Sequence, residues 1–409
     1  MRQPDEDPPE MTSSLDEAVD FGVRRPREAR SANAAAVLRY LLAHGPTSRV
    51  DLAAGIGLTQ GPVTRIVALL LELGLVREES AQPLATGRGR PPVPVAIVPD
   101  AWHFISAHVG LTQVTVARVD LAGTVLQERR AEHGGHPAAI AEQVSDLVAA
   151  LREIHPSPVL GVGAVVGGWV DAEAGVVRRH DGLGWHDVPV GALLSEKLGE
   201  EVCVESAVRS HALADMIYGL MPGRSDFVHI FIGNVIEVAS VIDGRVLRGL
   251  DGFGGDLSSW LLTDDDGHAA RAADLLSDYV VRASAQREGL IPEDCTFEEL
   301  VELAQSDARV SGRLNDLLAD RARRAAPLIA GVASMMAPSA VVVSSGVVAT
   351  PPAVAALESE YRRLMEGRPR PALRVLPHYR TALAIAGAAV ALERVLLADP
   401  LFTARAPAR

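Results

Sequence analysis

Gln60, Thr64 and Arg65 place an amide, a hydroxyl and a guanidinium in one short stretch of chain. They sit off the apolar stripe that Val63, Val67 and Leu70 draw at i, i+4 and i+7. The chemistry on offer is directional hydrogen bonding. An amide both donates and accepts, and a guanidinium presents a two-pronged fork of donors that fits a guanine edge or a phosphate. Further on, Arg88 and Arg90 flank Gly89, and Pro91 and Pro92 then hold the backbone extended. Two guanidiniums on a slim ribbon suit a narrow cleft of negative potential such as a minor groove. A solvated interdomain linker is the alternative, and one segment can serve both ends.

The elements that must position these groups are legible around them. Residues 47–77, TSRVDLAAGIGLTQGPVTRIVALLLELGLVR, read as a helix with Val50, Leu52 and Ala53 inward, a turn at Gly55–Leu58, and a second helix. Thr59 is placed to cap that second helix through its hydroxyl, and Pro62 falls in the first turn, where a missing N–H costs little. A preceding helix over 31–45 brings Val37, Leu38, Leu41 and Leu42 to one face and stops at Gly45. Short strands at 75–77 and 93–98 enclose the Arg-rich loop as a wing. Together these make a winged helix-turn-helix in which Thr59, Gln60, Thr64 and Arg65 face base edges and Arg88 and Arg90 flank them. An ordinary helical hairpin is the blander reading of the same pattern.

Charge divides sharply along the chain. Residues 1–23 carry net −6, residues 24–90 carry +5, and the remainder carries −12 of the total −13. A small basic head on a large acidic body is expected of a regulator with a separate sensor domain. The segment Arg24–Arg27 is either a basic arm beside DNA or a solubilising flank. No run of 18 apolar residues occurs, and the acidic N-terminus is unlike a signal peptide, which predicts a cytoplasmic protein. Cys203 and Cys295 lack metal-ligand spacing and suit a reducing compartment.

After Trp102 the pattern becomes that of an α/β fold. Three successive strands (103–110, 115–120, 124–129), a helix (138–153) and a strand (159–166) lead to a helix near 190–199, a strand (201–205) and a helix (207–219). Strands at 227–232 and 237–243 begin a second unit, with helices expected over 268–287, 297–305 and 307–337. A strand (340–345), a helix (351–365), a strand (373–376) and a helix (380–397) follow. A hairpin-rich start followed by alternating elements, twice over, predicts two lobes with a cleft between them. The expected organisation is a tail (1–28), a DNA-binding head (29–98), a first lobe (100–220), a second lobe (221–380), a closing helix returning to the first lobe (381–397) and a tail (398–409).

TGRGRPP (86–92), the segment 171–189 with its GLGWHDVP, DGRVLRG with GFGGD (243–256) and AIAGAAVAL (384–392) resemble the ROK family of repressors and sugar kinases, in its repressor branch. The resemblance covers about residues 31–397. It implies a winged helix-turn-helix followed by a two-lobed, actin-like sugar-kinase-type (ASKHA) domain. The partners it implies are an operator in double-stranded DNA and a sugar or sugar-derived effector, in a homodimer or homotetramer that touches no membrane.

The positions that carry the family's chemistry differ here. His108 replaces the Asp of the first phosphate turn, and Ser206-Ala207 replaces the Asn-Asp pair whose Asp is the general base. A methyl group accepts no proton. In GNVIEVA (233–239), Val235 and Glu237 stand where glycines let a backbone approach phosphate, and SSG (344–346) replaces a triple glycine. Ser259 takes the place of the zinc-binding His, and 264–275 contains no cysteine, so neither a zinc site nor any other cofactor is implied. His268 beside three Asp residues reads as a solvated acidic turn. Gly182 matches the sugar-contacting Asn, leaving Asp256 and Glu205 as the polar candidates for a ligand, Glu205 being alternatively a strand-end charge turned to solvent. Trp169 and Trp185 read as packing. The expectation is a non-catalytic regulator, against a sugar kinase with a DNA-binding head or a constitutive DNA-binding, dimerising protein without an effector.

Overall fold

The computed structural model describes residues 26–80, 92–155, 157–219, 221, 226–264, 266–344, 346–376 and 382–397. The N-terminal unit contains α1 (Pro26–His44), β1 (Thr47–Ser48), α2 (Arg49–Gly55), α3 (Gln60–Glu72), β2 (Val76–Glu78) and β3 (Pro94–Ile97). Helices α2 and α3 meet at 116°, within the range of a helix-turn-helix. The expected stripe is inside: Val63, Val67 and Leu70 are buried together with Ile66, against Val37, Leu38 and Leu41 of α1. Leu42 is half-buried at its edge. Strands β2 and β3 pair antiparallel as the base of a wing, and β1 adds to the free side of β3, a strand the sequence reading lacks.

Three local expectations need correction. Helix α1 starts at Pro26 rather than at residue 31, because proline's fixed φ suits a first helical turn. Arg24 and Arg25 of the supposed arm lie outside the described residues. Val50 is 55 % exposed, since a seven-residue helix buries one narrow strip and Leu52 and Ala53 occupy it. Thr59 has the extended backbone of an N-cap but makes no capping hydrogen bond through its side chain, which is exposed, so water serves the free amides.

The first lobe comprises β4 (His103–Val109), β5 (Gln113–Asp120), β6 (Val125–Glu132), α4 (Pro137–Arg152), β7 (Val159–Val166), β8 (Trp169–Asp171), β9 (Val176–His180), β10 (Trp185–Val188), α5 (Val190–Leu198), β11 (Val202–Ser206) and α6 (Ala207–Ile217). Its main sheet has the order β11-β7-β4-β5-β6, and β8–β10 form a separate small sheet that the sequence reading left as a motif. The second lobe comprises β12 (Phe227–Ile232), β13 (Ile236–Ile242), β14 (Arg245–Val246), β15 (Leu261–Thr263), β16 (Ala269–Arg271), α7 (Ala272–Leu276), α8 (Asp278–Arg287), α9 (Phe297–Ser306), α10 (Ser311–Met336), β17 (Ala340–Ser344), α11 (Pro351–Leu364) and β18 (Ala372–Leu376). Its sheet, β14-β13-β12-β17-β18, repeats the first: an antiparallel meander extended by two parallel strands. The long helix expected over 268–287 is broken. Residues 269–271 pair with β15 instead, and Ser277 adopts an extended backbone between α7 and α8.

Alternation along the strands sorts the two faces of each sheet. Ile105 and Ala107 of β4 pack with α4 and α5, while Phe104 joins the opposite core with α6 and α12 (Ala382–Leu397). In the second lobe Val228, Ile230 and Ile232 face α7–α11, while Phe227 and Phe231 join the core of α6 and α12. Helix α6 is therefore sandwiched between the lobes. The core of the N-terminal unit is continuous with this same cluster. No single helix among the described residues is long and apolar enough to cross a membrane.

Candidate nucleic-acid interface and interlobe cleft

The N-terminal half of α3 is apolar below and polar above. Thr59, Gln60, Thr64 and Arg65 are all exposed around its first two turns, over the buried Val63, Ile66 and Val67. The Thr64 hydroxyl donates to the Gln60 carbonyl at 2.8 Å, which fixes its rotamer on the outer face. At the other end of the motif Arg49 pairs with Glu78, tying α2 to the wing strand. Arg88 and Arg90 lie outside the described residues. A helix N-terminus with free amides, a hydroxyl, an amide and an exposed guanidinium is equipped to meet an anionic, hydrogen-bonding duplex.

The three ligand candidates fall in or beside the interlobe cleft, but they do not make a pocket of free polar groups. Glu205 is 1 % exposed, so it is not turned to solvent. Its Oε1 accepts from Arg209 Nε at 2.6 Å and from the Ser206 amide, and its Oε2 accepts from Arg248 Nε at 2.9 Å. That carboxylate is spent within the protein. Gly182 lies in an exposed tight turn where a Cβ would stand 2.6 Å from the Cδ2 end of the exposed Leu111 side chain, and it offers no side-chain polar group. Asp256 is exposed, accepts from the Ser258 amide at 2.8 Å and bridges backbone to backbone with Glu237.

Glu237, which stands where a glycine would let a backbone approach phosphate, is buried; Oε1 accepts from the Gly168 amide at 3.2 Å, and Oε2 has no hydrogen-bond partner. Burial pushes its carboxyl up to about 7, against the pull of the Arg209 guanidinium. Its bond to Gly168 also crosses from the second lobe to the first.

Other crossings reinforce this one. Arg209, 2 % exposed, donates to the Val170 carbonyl at 2.7 Å and, across the cleft, to the Gly252 carbonyl at 3.0 Å. Trp169 donates to the Asp251 carbonyl and meets Phe253 edge-on, while Trp185 is buried and donates to Gly135, so both tryptophans pack as expected. Deeper in, His229 bridges Asp215 (2.6 Å) and Ser344 (2.7 Å). Sequence reasoning missed Arg209, Arg248 and His229. The only local signals were an Arg four residues after Glu205 and one His inside the apolar strand FVHIFI.

Among the described residues two clusters have metal-like composition. In the acidic turn, the Asp264 carboxylate accepts from the Asp266 and His268 amides, so it closes the turn itself. In the other, Asp100, His103 and His155 converge under the head. There Arg118 Nε donates to His103 Nδ1 at 2.7 Å, which leaves the ring proton on Nε2, pointing at Asp100 Oδ1 2.8 Å away. A cation at Nε2 would have to displace that proton, and burial already keeps the ring neutral. The cluster straps the segment after β3 to the first lobe.

A model of the ROK family matches residues 104–394, and a winged helix-turn-helix DNA-binding model matches residues 32–77. The chain is similar to Transcriptional regulator Rv0485 of Mycobacterium tuberculosis, 28% identical over 325 residues, covering 76% of this chain and 73% of that one. It is 23% identical over 242 residues to the Xylose repressor of Caldicellulosiruptor bescii, covering 58% and 60% of the two chains. Among solved structures, a ROK family transcriptional regulator described as a homolog of the E. coli MLC protein superposes with a TM-score of 0.68 at 22% identity, covering 92% of this chain and 98% of that one.

Proposed function

The chain belongs to the ROK family, and from that membership we propose that it is a transcriptional regulator that binds an operator through α3 and its wing. The observation that carries this reading is the exposed row Thr59, Gln60, Thr64 and Arg65 on the second helix of a helix-turn-helix. Gln60, Thr64 and Arg65 read base edges in the major groove, and Arg88 and Arg90 of the wing enter the flanking minor groove. The head spans residues 29–98, the sensor lobes 100–220 and 221–380, and the closing helix 381–397 returns to the first lobe. The regulated genes belong to carbohydrate metabolism, as the name of the xylose repressor suggests. It works in the cytoplasm, where the duplex is.

The body does not transfer phosphate. Ala207 offers no base, Glu205 is committed to two arginines, and Ser344 is held by His229. A dimer or tetramer is the working form, and the exposed Leu250, Phe253 and Leu261 of the second lobe support self-association. One observation favours a second reading, a constitutive DNA-binding protein without an effector: neither Gly182 nor Glu205 has a polar group left for a ligand. Thermal shift against sugars, sugar phosphates and nucleotides separates the two, since only the effector-responsive form gains stability.

The operator reading is tested by selecting a duplex from a random pool with the full chain. Arg65→Ala should then cost about 1–3 kcal/mol and relax preference at one base pair. Unchanged affinity in a Thr64→Ala/Arg65→Ala double variant would remove α3 from the interface.

A further inference from the structure

Helix α6 touches all three parts of the molecule with no slack. Ten of its eleven residues are buried, among them four polar ones: Arg209, Ser210, His211 and Asp215. At its N-terminal end, Glu205 and Arg209 engage Arg248 and Gly252 of the second lobe. In its last turn, Asp215 Oδ2 lies 2.6 Å from His229 Nδ1, and His229 Nε2 lies 2.7 Å from Ser344 Oγ. The His211 ring stacks on the His229 ring at 5.4 Å. At its C-terminal end, Gly219 has φ +80, and a Cβ there would stand 2.4 Å from the Ala43 carbonyl oxygen of α1. A second link runs beside it, from Arg39 of α1 to Glu393 of α12.

Such a helix cannot stay still if the lobes move. A buried hydrogen bond to a carboxylate is expensive to break, whereas a packed helix shifts by an ångström or two at modest cost. Motion of the second lobe therefore carries α6 along through Asp215–His229 and Arg209. The tight Gly219–Ala43 contact then passes the shift to α1, on whose face α3 packs.

We propose that α6 is the regulatory coupling element of this protein, transmitting the position of the second lobe from the interlobe cleft to the DNA-binding head through the Asp215–His229 joint and the Gly219–Ala43 contact. This rests on the regulator reading and names how that interface is controlled. The cleft end of the helix is perturbed by mutation, so no effector need be known.

The experiment is a double-mutant cycle on the full chain, joining Arg248→Ala at the cleft and Asp215→Asn at the joint. Affinity for a selected operator duplex is measured at one salt concentration, and hydrogen exchange of residues 32–45 is followed without DNA. Arg248→Ala should shift operator affinity by about 5-fold or more and alter exchange around Ala43. Both effects should vanish in the Asp215→Asn background. If Asp215→Asn shows no cooperative unfolding transition, Ser344→Ala takes its place, because it loosens the joint while leaving the Asp215–His229 hydrogen bond. Additive effects, or exchange at Ala43 indifferent to Arg248→Ala, would overturn the proposal. Absence of duplex binding by the wild-type chain would instead sink the regulator reading, and the exchange measurement would still decide whether α6 couples the two ends.

Discussion

Glu237 is ionised in an unfolded chain above its ordinary value of 4.5 but in the folded protein only above about 7. Its contribution to stability is therefore complete below about pH 4.5, declines between 4.5 and 7, and is lost above 7. The span corresponds to about 3 kcal/mol. Glu237→Gln keeps an acceptor for the Gly168 amide and abolishes the titration. Denaturant unfolding from pH 4.5 to 8 should show the variant gaining on the wild type as pH rises. His103 and His180, both pushed down by burial, are common to both proteins and cancel in the difference. A constant difference would mean that the carboxyl is not buried against Gly168. Gly252 gives a second test at the same seam. Its φ is +70, and a Cβ would lie 2.1 Å from the Val170 carbonyl. Gly252→Ala should destabilise by about 2 kcal/mol or more, measured as a lower denaturation midpoint at unchanged slope.

In the proposed interface α3 and the wing divide recognition between two grooves, and the wing gives the sharper test. Arg88 and Arg90 fall in sequence between β2 and β3, and that strand pair is pinned to α2 through Glu78 and Arg49. If the guanidiniums enter a minor groove, Arg88→Ala/Arg90→Ala should lose more affinity on A·T-flanked operators than on G·C-flanked ones, since A·T tracts narrow that groove. Two phosphate contacts would instead give equal losses on both and a shallower salt slope. Fluorescence titration at one fixed salt concentration separates the outcomes. The stripe of α3 was legible because Val63, Val67 and Leu70 obey the helical period over a single element. The β1 strand was not, since two residues carry no period, and only the free edge of β3 gives Thr47 and Ser48 their partners.

The whole molecule joins a winged helix-turn-helix head to a ROK-family body, and the proposed regulator transfers no phosphate. The purified protein should release no ADP in the presence of ATP and hexoses, and elemental analysis should find no stoichiometric zinc. Sugar-dependent ADP release above a no-enzyme control, or about one zinc per chain, would refute this. The head is not a bead on a string. Its core runs without interruption into that of α6 and α12, and Arg39 reaches Glu393. A chain cut after residue 98 should therefore unfold with a lower midpoint than the same head in the intact protein, because it exposes the α1 face that meets α6 and α12.

Periodicity and turn chemistry were enough to establish the helix-turn-helix and two repeated α/β units, because each depends on residues near one another in the chain. The break at Ser277 escaped, since residues 269–271 become a strand only by pairing with β15. The character of the cleft escaped for the same reason. Glu205 meets Arg248, Glu237 meets Gly168, and His229 meets Ser344 over separations of 43, 69 and 115 residues. Whether a carboxylate is a ligand, a repellent charge or half of a buried pair depends on what surrounds it. For these residues that is set by how two sheets close on α6, and no local pattern in the chain encodes it.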